Sequence, residues 1–269
     1  MVEKKIRFGF GKNWDKFIKK HFEEERIEQS KNHLLDFLNL HTLSGKYFLD
    51  IGCGSGLSSL AAYRSDAKRI VSFDYDPVSV ETTRKLKQYV NNPNSWDVVQ
   101  GSILDDEFVA SLEPADVVYA WGVLHHTGDV WHAIDNTFKL LKPDGLMYLA
   151  LYEYNVQKNP SPEFWLDVKV KYNQGGWWKK RKYEIWYIWT FMFYKKIRNL
   201  PNVIRDIQSR KGRGMAFYTD LVDWLGGWPM EFVKLEDFKE WASQNNLAIL
   251  NLSYGEANTE YLCKLEVSR

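Results

Sequence analysis

Residues 48–57 have the sequence Phe-Leu-Asp-Ile-Gly-Cys-Gly-Ser-Gly-Leu, in which a short apolar strand runs into a glycine-rich turn and a helix begins. Further along, residues 71–76, Val-Ser-Phe-Asp-Tyr-Asp, form a second apolar strand that ends in acidic residues. This order of strand, glycine turn, helix and acidic strand is typical of the nucleotide-binding half of an open α/β sheet. Glycines suit such a turn because it needs backbone angles that side chains disfavour, and because a ligand must approach the main chain.

Two carboxylates discriminate between the nucleotides that such a turn can hold. Asp50 stands just before the glycines, where it would repel the pyrophosphate of a dinucleotide at the helix N-terminus. Asp74 ends the second strand and can accept hydrogen bonds from both hydroxyls of a ribose. A nucleoside with a cationic amino-acid tail fits both acids, and S-adenosylmethionine is such a molecule. Two alternatives stay open, namely a turn that only connects strand and helix and a site for a nicotinamide cofactor.

The composition shows no strong charge bias and no sign of secretion. The 269 residues can bury a full core and are compatible with one elaborated domain. The 36 basic and 35 acidic residues nearly cancel, which argues against a nucleic acid as partner. Two cysteines give no disulfide framework, and the first residues lack the apolar core of a signal peptide. We therefore expect a soluble cytoplasmic protein, and we expect no metal because no ligand cluster has metal spacing.

Strands alternate with helices from residue 47 to residue 152. Strands are predicted at 47–51, 69–74, 96–100, 115–121 and 145–152, and helices at 56–65, 77–90, 105–112 and 129–141. The alternation stops near residue 153, where a helix is predicted at 162–173, and it resumes with a helix at 235–245 and strands at 247–253 and 259–267. The pattern predicts an α/β fold in which helices cover both faces of a doubly wound, Rossmann-like parallel sheet.

Residues 49–56 resemble the cofactor-binding motif of class I S-adenosylmethionine-dependent methyltransferases. Residues 99–103, 115–126 and 140–148 resemble later segments of that family in the same order, so the resemblance covers residues 45–152. It implies S-adenosylmethionine as cofactor and S-adenosylhomocysteine as product. It also implies that the last two strands form an antiparallel edge hairpin, with a helical lid inserted before them.

Four regions are expected on this basis. They are an N-terminal helical cover at 1–44, a cofactor-binding core at 45–152, an aromatic-rich helical lid with the acceptor pocket at 153–231, and a C-terminal helix with edge strands at 232–269.

The resemblance assigns the cofactor to residues at the strand ends. Asp50 would order its amino end, Asp74 would hold the ribose, and Ser102 stands where many relatives carry aspartate. Two roles stay open for each tryptophan. Trp121 either borders the methionine end of the cofactor or fills the apolar core, and Trp14 either closes over the cofactor or packs within the N-terminal region. The predicted cofactor-binding residues are Asp50, Gly52, Cys53, Gly54, Gly56, Asp74, Tyr75, Ser102, Ile103, Trp121 and Trp14.

His125 and His126 are the candidates for a general base. They follow the fourth strand, at the edge where open sheets bind ligands, and an imidazole can take a proton from a hydroxyl or an ammonium group near neutral pH. His125 is placed slightly ahead of His126. The alternative is structural, because a His-His pair in this loop is frequent in the family.

The acceptor is expected under the lid. Polar and aromatic side chains stand between glycines there, which suits a mobile segment that closes on a small molecule. The alternative is an ordinary helix that turns its apolar side chains to the core. The predicted acceptor-binding residues are Arg213, Tyr218, Asp220, Asp223 and Trp224.

Segment 177–198 is aromatic and basic, and three interpretations of it stay open: a buried lid helix, a dimer contact, or a transient contact with a membrane surface. We expect a methyltransferase that modifies an oxygen or nitrogen of a small-molecule or sugar-like acceptor, as a monomer or homodimer. The alternatives are a lipid-linked or glycan acceptor, an RNA acceptor, and a regulator that binds the cofactor without turnover.

Overall fold

The computed structural model describes residues 8–11, 24–156, 160–194, 217–255 and 258–266. Its centre is one seven-stranded sheet with the order β3-β2-β1-β4-β5-β7-β6. The strands are β1 (Tyr47–Ile51), β2 (Arg69–Asp74), β3 (Trp96–Gln100), β4 (Ala115–Trp121), β5 (Leu141–Tyr152), β6 (Leu247–Tyr254) and β7 (Asn258–Leu265). The first five strands are parallel, and β7 runs antiparallel to both β5 and β6. The predicted Rossmann-like sheet with an antiparallel C-terminal hairpin is confirmed.

Helices cover both faces of the sheet. Within the described residues they are α1 (Glu24–Leu38), α2 (Leu57–Arg64), α3 (Pro77–Tyr89), α4 (Asp106–Ala110), α5 (Val130–Lys139), α6 (Pro162–Asn173), α7 (Trp177–Tyr187), α8 (Phe217–Gly226) and α9 (Leu235–Gln244). One apolar core lies between the sheet and α5 and α9, and a second lies between the sheet and α1, α2 and α3. The central strands are largely apolar because both of their faces are buried.

The chain leaves β1 toward β2 and β3 on one side and later reaches β4 on the other side. The strand order therefore reverses between β1 and β4. Such a reversal opens a crevice at the carboxyl ends of the strands, because the connections on the two sides diverge. The glycine turn after β1 and the loop after β4 both lie at this point.

The lid has its own small core. Trp165 and Tyr172 on α6 are buried together with Leu221 and Leu225 on α8. After α7 the chain continues as a π-helical segment, Ile188–Tyr194. The predicted helical insertion is therefore present, and the proposed boundaries at residues 44, 152 and 231 stay predictions.

One strand differs from the prediction, because β5 begins at Leu141 and not at residue 145. Leu141 pairs with Ala115, and the register then shifts before Leu146 pairs with Val117. Asp144 has a φ of 59°, so the predicted turn sequence forms an irregularity inside the strand.

Three further observations concern the cysteines, possible metal ligands and the length of the helices. Cys53 and Cys263 are both buried and not disulfide-bonded. Within the ranges the structure describes, no group of three or more His, Cys, Asp or Glu side chains is placed to hold a metal ion. In the same ranges, every helix is too short or too polar to cross a bilayer.

Candidate active site

A cavity of about 650 Å³ opens at the carboxyl ends of β1, β2 and β4 and continues beneath the lid. Its size lies within the range of about 300–1,000 Å³ that is usual for small-molecule sites. Of the predicted site residues, those that line it are Asp50, Gly52, Cys53, Gly54, Asp74, Tyr75, Ser102, Ile103, Trp121, His126, Asp223 and Trp224. The fold thus brings residues from separate parts of the chain, near positions 50, 74, 102, 121 and 224, to one cavity.

The glycine turn is tied to the end of β2. The N–H groups of Gly52 and Cys53 both donate to the carbonyl oxygen of Phe73, at 2.8 and 3.0 Å. Gly52 has a φ of +68°, and a Cβ at this position would lie 2.2 Å from Cγ2 of Val123. Only glycine satisfies both conditions, so the backbone itself forms this wall of the cavity.

Asp50 is a buried carboxylate at the wall of the cavity, with only 2% of its surface exposed. Ser59 donates its hydroxyl to Oδ2 of Asp50, and Ser59 and Ser72 are joined by a hydrogen bond of 2.6 Å. Burial raises the pKa of Asp50 to about 7, against the hydrogen bond from Ser59, and the nearby charge of Asp74 adds to the rise. A cationic group in the cavity would stabilise the ionised form.

Asp74 holds the turn from the other side. Its Oδ2 accepts the N–H of Gly54 at 3.0 Å, and its Oδ1 accepts the N–H of Asp76 at 2.8 Å. Burial raises the pKa of Asp74 to about 6, against these two hydrogen bonds. Each carboxylate oxygen has a second lone pair, which leaves acceptor capacity for the hydroxyl groups of a ligand.

The neighbouring residues differ in how they meet the cavity. Tyr75 is 55% exposed, whereas Ile103 is buried. The hydroxyl of Ser102 accepts the N–H of Leu104 at 3.2 Å, so it stabilises its own loop. Cys53 accepts a hydrogen bond from Thr83, and burial raises the pKa of its thiol well above the usual value, which favours the neutral thiol.

Gly56 does not line the cavity. With a φ of +80°, it lies against Thr83, where a Cβ would come within 2.9 Å of the threonine side chain. Its role in this structure is to let α2 begin close to α3, and the prediction that it approaches the cofactor does not fit this position.

His126, and not His125, is the histidine that lines the cavity. Its Nδ1 lies 2.7 Å from the carbonyl oxygen of Pro229, which can only accept, so Nδ1 carries the proton and Nε2 is the basic nitrogen of the neutral ring. The ring also lies 4.9 Å from that of Phe10, measured between centroids.

His125, which was placed ahead of His126 as the general base, is buried and is not among the residues that line the cavity. Its surface is fully buried, and its Nδ1 accepts the N–H of Tyr152 at 3.2 Å. Burial lowers the pKa of His125 well below its usual value, and the charges of His126 and Lys169 act in the same direction. The ring anchors the loop after β4 to the end of β5.

The lid residues separate into two groups. Asp223 and Trp224 line the cavity, whereas Tyr218 lies away from it and donates its hydroxyl to Glu184 at 3.0 Å. Tyr218 is thus not among the lining residues and contacts α7, and its assignment to the acceptor stays a prediction. Trp14, Arg213 and the side chain of Asp220 lie outside the described residues.

Lys169 is a buried residue that the sequence analysis missed. It lies on α6, donates to the carbonyl oxygen of Trp224, and its Nζ is 4.5 Å from the centre of the Trp224 ring. Burial lowers the pKa of Lys169 to about 7. Asn173, one turn later, donates to the carbonyl oxygen of Gly226 at 2.7 Å, so both side chains cap the end of α8. A lysine among the apolar positions of a helix was the available signal.

A polar corner of the cavity was also missed. His33 on α1 and Glu260 on β7 both line the cavity, with 3.4 Å between Nε2 and Oε2. Tyr148 on β5 donates its hydroxyl to the same carboxylate. No local pattern joins these residues, because they meet only when α1 packs across the sheet.

Residues 20–182, more than half of the chain, match the model of a family described as "Methyltransferase domain". Among curated proteins, a ubiquinone biosynthesis O-methyltransferase of Neisseria meningitidis is 29% identical over 166 residues, which are 61% of this chain and 66% of that protein. A ribosomal protein L11 methyltransferase of Tolumonas auensis is 40% identical over 116 residues, 43% of this chain and 37% of that protein. The chain thus spans less than two thirds of either relative.

Among solved structures, a magnesium protoporphyrin IX methyltransferase of Synechocystis with bound S-adenosylmethionine superimposes with a TM-score of 0.52 at 12% identity. The superposition covers 93% of this chain and 84% of that chain. At this identity the likeness concerns the fold.

Proposed function

Since the chain belongs to the class I S-adenosylmethionine-dependent methyltransferases, we propose that it methylates an oxygen or nitrogen of a small-molecule or sugar-like acceptor. The cofactor is S-adenosylmethionine. One observation carries the proposal: a single cavity runs from the glycine turn and its two acids to the aromatic wall of the lid. Cofactor and acceptor can therefore occupy one continuous space, as direct transfer between them requires.

The residues at the glycine turn fit this cofactor. A buried carboxylate with a raised pKa, Asp50, is stabilised in its charged form by a cationic ligand, whereas a pyrophosphate would add to the repulsion. Asp74 keeps acceptor capacity for ribose hydroxyls, and the positive φ of Gly52 lets the turn pack against Val123, where a side chain would clash. Tyr75, Ser102 and Ile103 would border the adenine, and Trp121 the methionine end.

The sulfonium cofactor supplies an activated methyl group. The chain's own tasks are to align the acceptor, to exclude water and to remove a proton where the acceptor carries one. His126 suits the last task, because its ring lines the cavity and its Nδ1–H is held by Pro229, which makes Nε2 the basic nitrogen of the neutral ring. We propose His126 as the general base.

The acceptor end of the cavity favours a compact molecule with an apolar body. This end is lined by the rings of Trp165, Tyr187 and Phe191. The ring centroid of Trp165 lies 5.9 Å from that of Tyr187 and 5.2 Å from that of Phe191. An aromatic pocket of this kind suits a small molecule, whereas a protein acceptor such as that named for one relative needs a site open to a chain. The two unbonded cysteines fit a reducing, cytoplasmic location, which is part of the proposal.

The activity is tested with cofactor carrying a labelled methyl group, incubated with fractionated cell extracts. We expect label in a small organic product. Label in protein, in RNA or in no fraction would favour, in turn, a protein acceptor, an RNA acceptor or a regulator without turnover. A His126→Ala preparation is the matched blank, because it keeps the cofactor site.

Cofactor affinity should rise with pH between about 5.5 and 7.5. Asp50 and Asp74 have raised pKa values of about 7 and about 6, so both are partly protonated in the free protein below neutral pH. A cationic ligand binds the ionised form, so binding releases protons, and affinity falls by up to about tenfold per pH unit below the pKa. Calorimetric titration across this range measures the slope.

The same shift has a consequence for stability. Because folding raises the pKa values of Asp50 and Asp74, their protonation contributes to the free energy of unfolding. This contribution is fully present below the unfolded pKa near 3.8 and is lost as pH rises through about 6 to 7. An Asp50→Asn variant should therefore flatten both the affinity profile and the decline of stability of the cofactor-free protein. An unchanged profile would show that Asp50 does not face the ligand's charge.

Replacing His126 with alanine should lower kcat by about 100-fold or more while leaving cofactor affinity within a few-fold of wild type. The reason is that alanine removes the imidazole from the cavity wall, whereas Asp50 and Asp74 are untouched. His125→Ala is the comparison: it should lower the free energy of unfolding, since the ring is fully buried against Tyr152. Equal kcat for wild type and His126→Ala would remove the base assignment.

A further inference from the structure

We propose that the outer face of the lid binds the surface of an anionic lipid bilayer. The outer face consists of Trp178, Lys179, Lys182, Ile185 and Trp189, on α7 and the π-helical segment after it. The exposed fractions of its three large apolar side chains are 80% for Trp178, 67% for Ile185 and 60% for Trp189. The spacing of 178, 182, 185 and 189 puts them along one side of a helix.

The charged side chains of α7 also differ between its two sides: the acid is buried and two lysines are exposed on the outer face. Its acid, Glu184, is buried and accepts hydrogen bonds from Arg181 at 2.6 Å and from Tyr172 at 2.9 Å. Lys179 and Lys182, by contrast, are exposed. The outer face thus carries positive charge next to apolar rings and no carboxylate of its own helix.

A bilayer surface matches this combination of groups. Tryptophan combines a large apolar ring with a polar N–H group and is favoured at the boundary between headgroups and acyl chains. Lysine stems lie along apolar surface while their ammonium groups reach anionic headgroups. Soluble monomers rarely expose such large apolar side chains side by side without a binding role.

The opposite side of the same segment lines the cavity. Tyr187 and Phe191 contact it and pack on Trp165 of α6. A bilayer bound to the outer face would therefore lie one helix away from the acceptor pocket. The structure assigns to this pocket an amphiphilic acceptor, with an apolar body drawn from the bilayer and a polar group that is methylated. This assignment of acceptor class depends on the proposed function, whereas binding to the bilayer does not.

A second copy of the chain matches the outer face less well. A twofold contact brings identical surfaces together, so the lysines of one copy would approach those of the other without a carboxylate between them. Like charges at a desolvated contact are unfavourable. Anionic lipid supplies the complementary charge.

Flotation of the full chain with vesicles tests the proposal. We expect the protein to float with phosphatidylcholine vesicles that contain about 30% phosphatidylglycerol and to stay behind with pure phosphatidylcholine, since each lysine contributes about fivefold in affinity. K179E/K182E should reduce the partition coefficient by about 25-fold or more. W178S/I185S/W189S should also lose binding, and high salt should release the wild type.

Matched control variants distinguish binding through the outer face from effects of net charge and of exposed apolar side chains elsewhere. K68E/K239E makes the same change of net charge at exposed lysines elsewhere, and L250S removes an exposed apolar side chain from β6. Both should float like wild type. The proposal is overturned if the wild type does not float with anionic vesicles or if both outer-face variants still float. It is also overturned if the outer face instead mediates a concentration-dependent dimer without binding vesicles.

Cofactor affinity, measured by calorimetry on the same preparations, distinguishes this proposal from the proposed function. Normal cofactor binding without flotation would overturn the bilayer assignment and leave the methyltransferase proposal intact. Flotation without methyl transfer to any fraction would support the surface and count against the amphiphilic acceptor.

Discussion

The Gly52→Val variant is expected to lose at least about 100-fold in affinity for S-adenosylmethionine. Gly52 has a φ of +68°, a region that costs a β-branched residue about 1–3 kcal/mol, and its Cβ would lie 2.2 Å from Cγ2 of Val123. The turn must therefore move, and with it the two N–H groups that are bonded to Phe73. A combined loss near 3 kcal/mol corresponds to about 100-fold. Isothermal titration with the cofactor measures it.

The control for backbone strain is Gly45→Val. Gly45 has a φ of +76°, yet nothing lies within 4 Å of a Cβ at that position, and the residue is outside the cavity. It should lose stability by about 1 kcal/mol or slightly more and keep its cofactor affinity. Circular dichroism should show that the Gly52→Val chain remains folded. If Gly52→Val binds like wild type, the turn does not approach the cofactor.

Local sequence determines the part of the fold that surrounds the glycine turn. The bounds of β2, β3 and β4 agree with prediction. β2 and β4 are mainly apolar segments that end in an acidic residue or before a glycine, and β3 ends before Gly101. The start of β5 was not predicted, because Leu141 joins the strand by pairing with Ala115, and periodicity does not reveal a partner.

The cavity lining was predictable where its residues follow directly from strand ends, and was not where tertiary contacts determine which side chain faces the cavity. His125 and His126 lie on one 3₁₀ turn, Leu124–His126, in which successive side chains point about 120° apart. Only one of them can therefore face the cavity, and the sequence does not say which. The choice is made by Pro229, far along the chain, which accepts a hydrogen bond from His126.

In the lid, too, the sequence does not show which side chains face the cavity. Tyr218 and Trp224 lie on α8, six positions apart, so they point to different sides of a helix with about 100° per residue. A list of polar and aromatic residues between glycines cannot separate the two sides. Lys169 was missed because its partner is the end of another helix, and a buried lysine is recognised only once the packing is known.

Replacing Asp74 with alanine is expected to weaken cofactor binding by about 3 kcal/mol, close to 100-fold. Two losses combine. On the proposed role, the ribose hydroxyls lose the carboxylate as acceptor, and the N–H groups of Gly54 and Asp76, held at 3.0 and 2.8 Å in the wild type, lose theirs. Asp76 itself accepts the N–H of Val78 at the start of α3, so the disturbance extends to a helix whose first residue, Pro77, lines the cavity. Calorimetric titration at pH 8, where Asp74 is ionised, gives the full effect.

Asp74→Asn separates the two losses, because the amide oxygen can still accept one of the backbone N–H groups while the negative charge is gone. Its affinity should lie between those of wild type and Asp74→Ala, and the gap to wild type should narrow as pH falls below about 6, where the wild-type carboxyl is protonated as well. Asp97→Ala, at an exposed position on the neighbouring strand β3, should bind like wild type. Equal affinity of Asp74→Ala and wild type would mean that the ribose is held elsewhere, and the pairing of Asp50 and Asp74 around the cofactor would then be wrong.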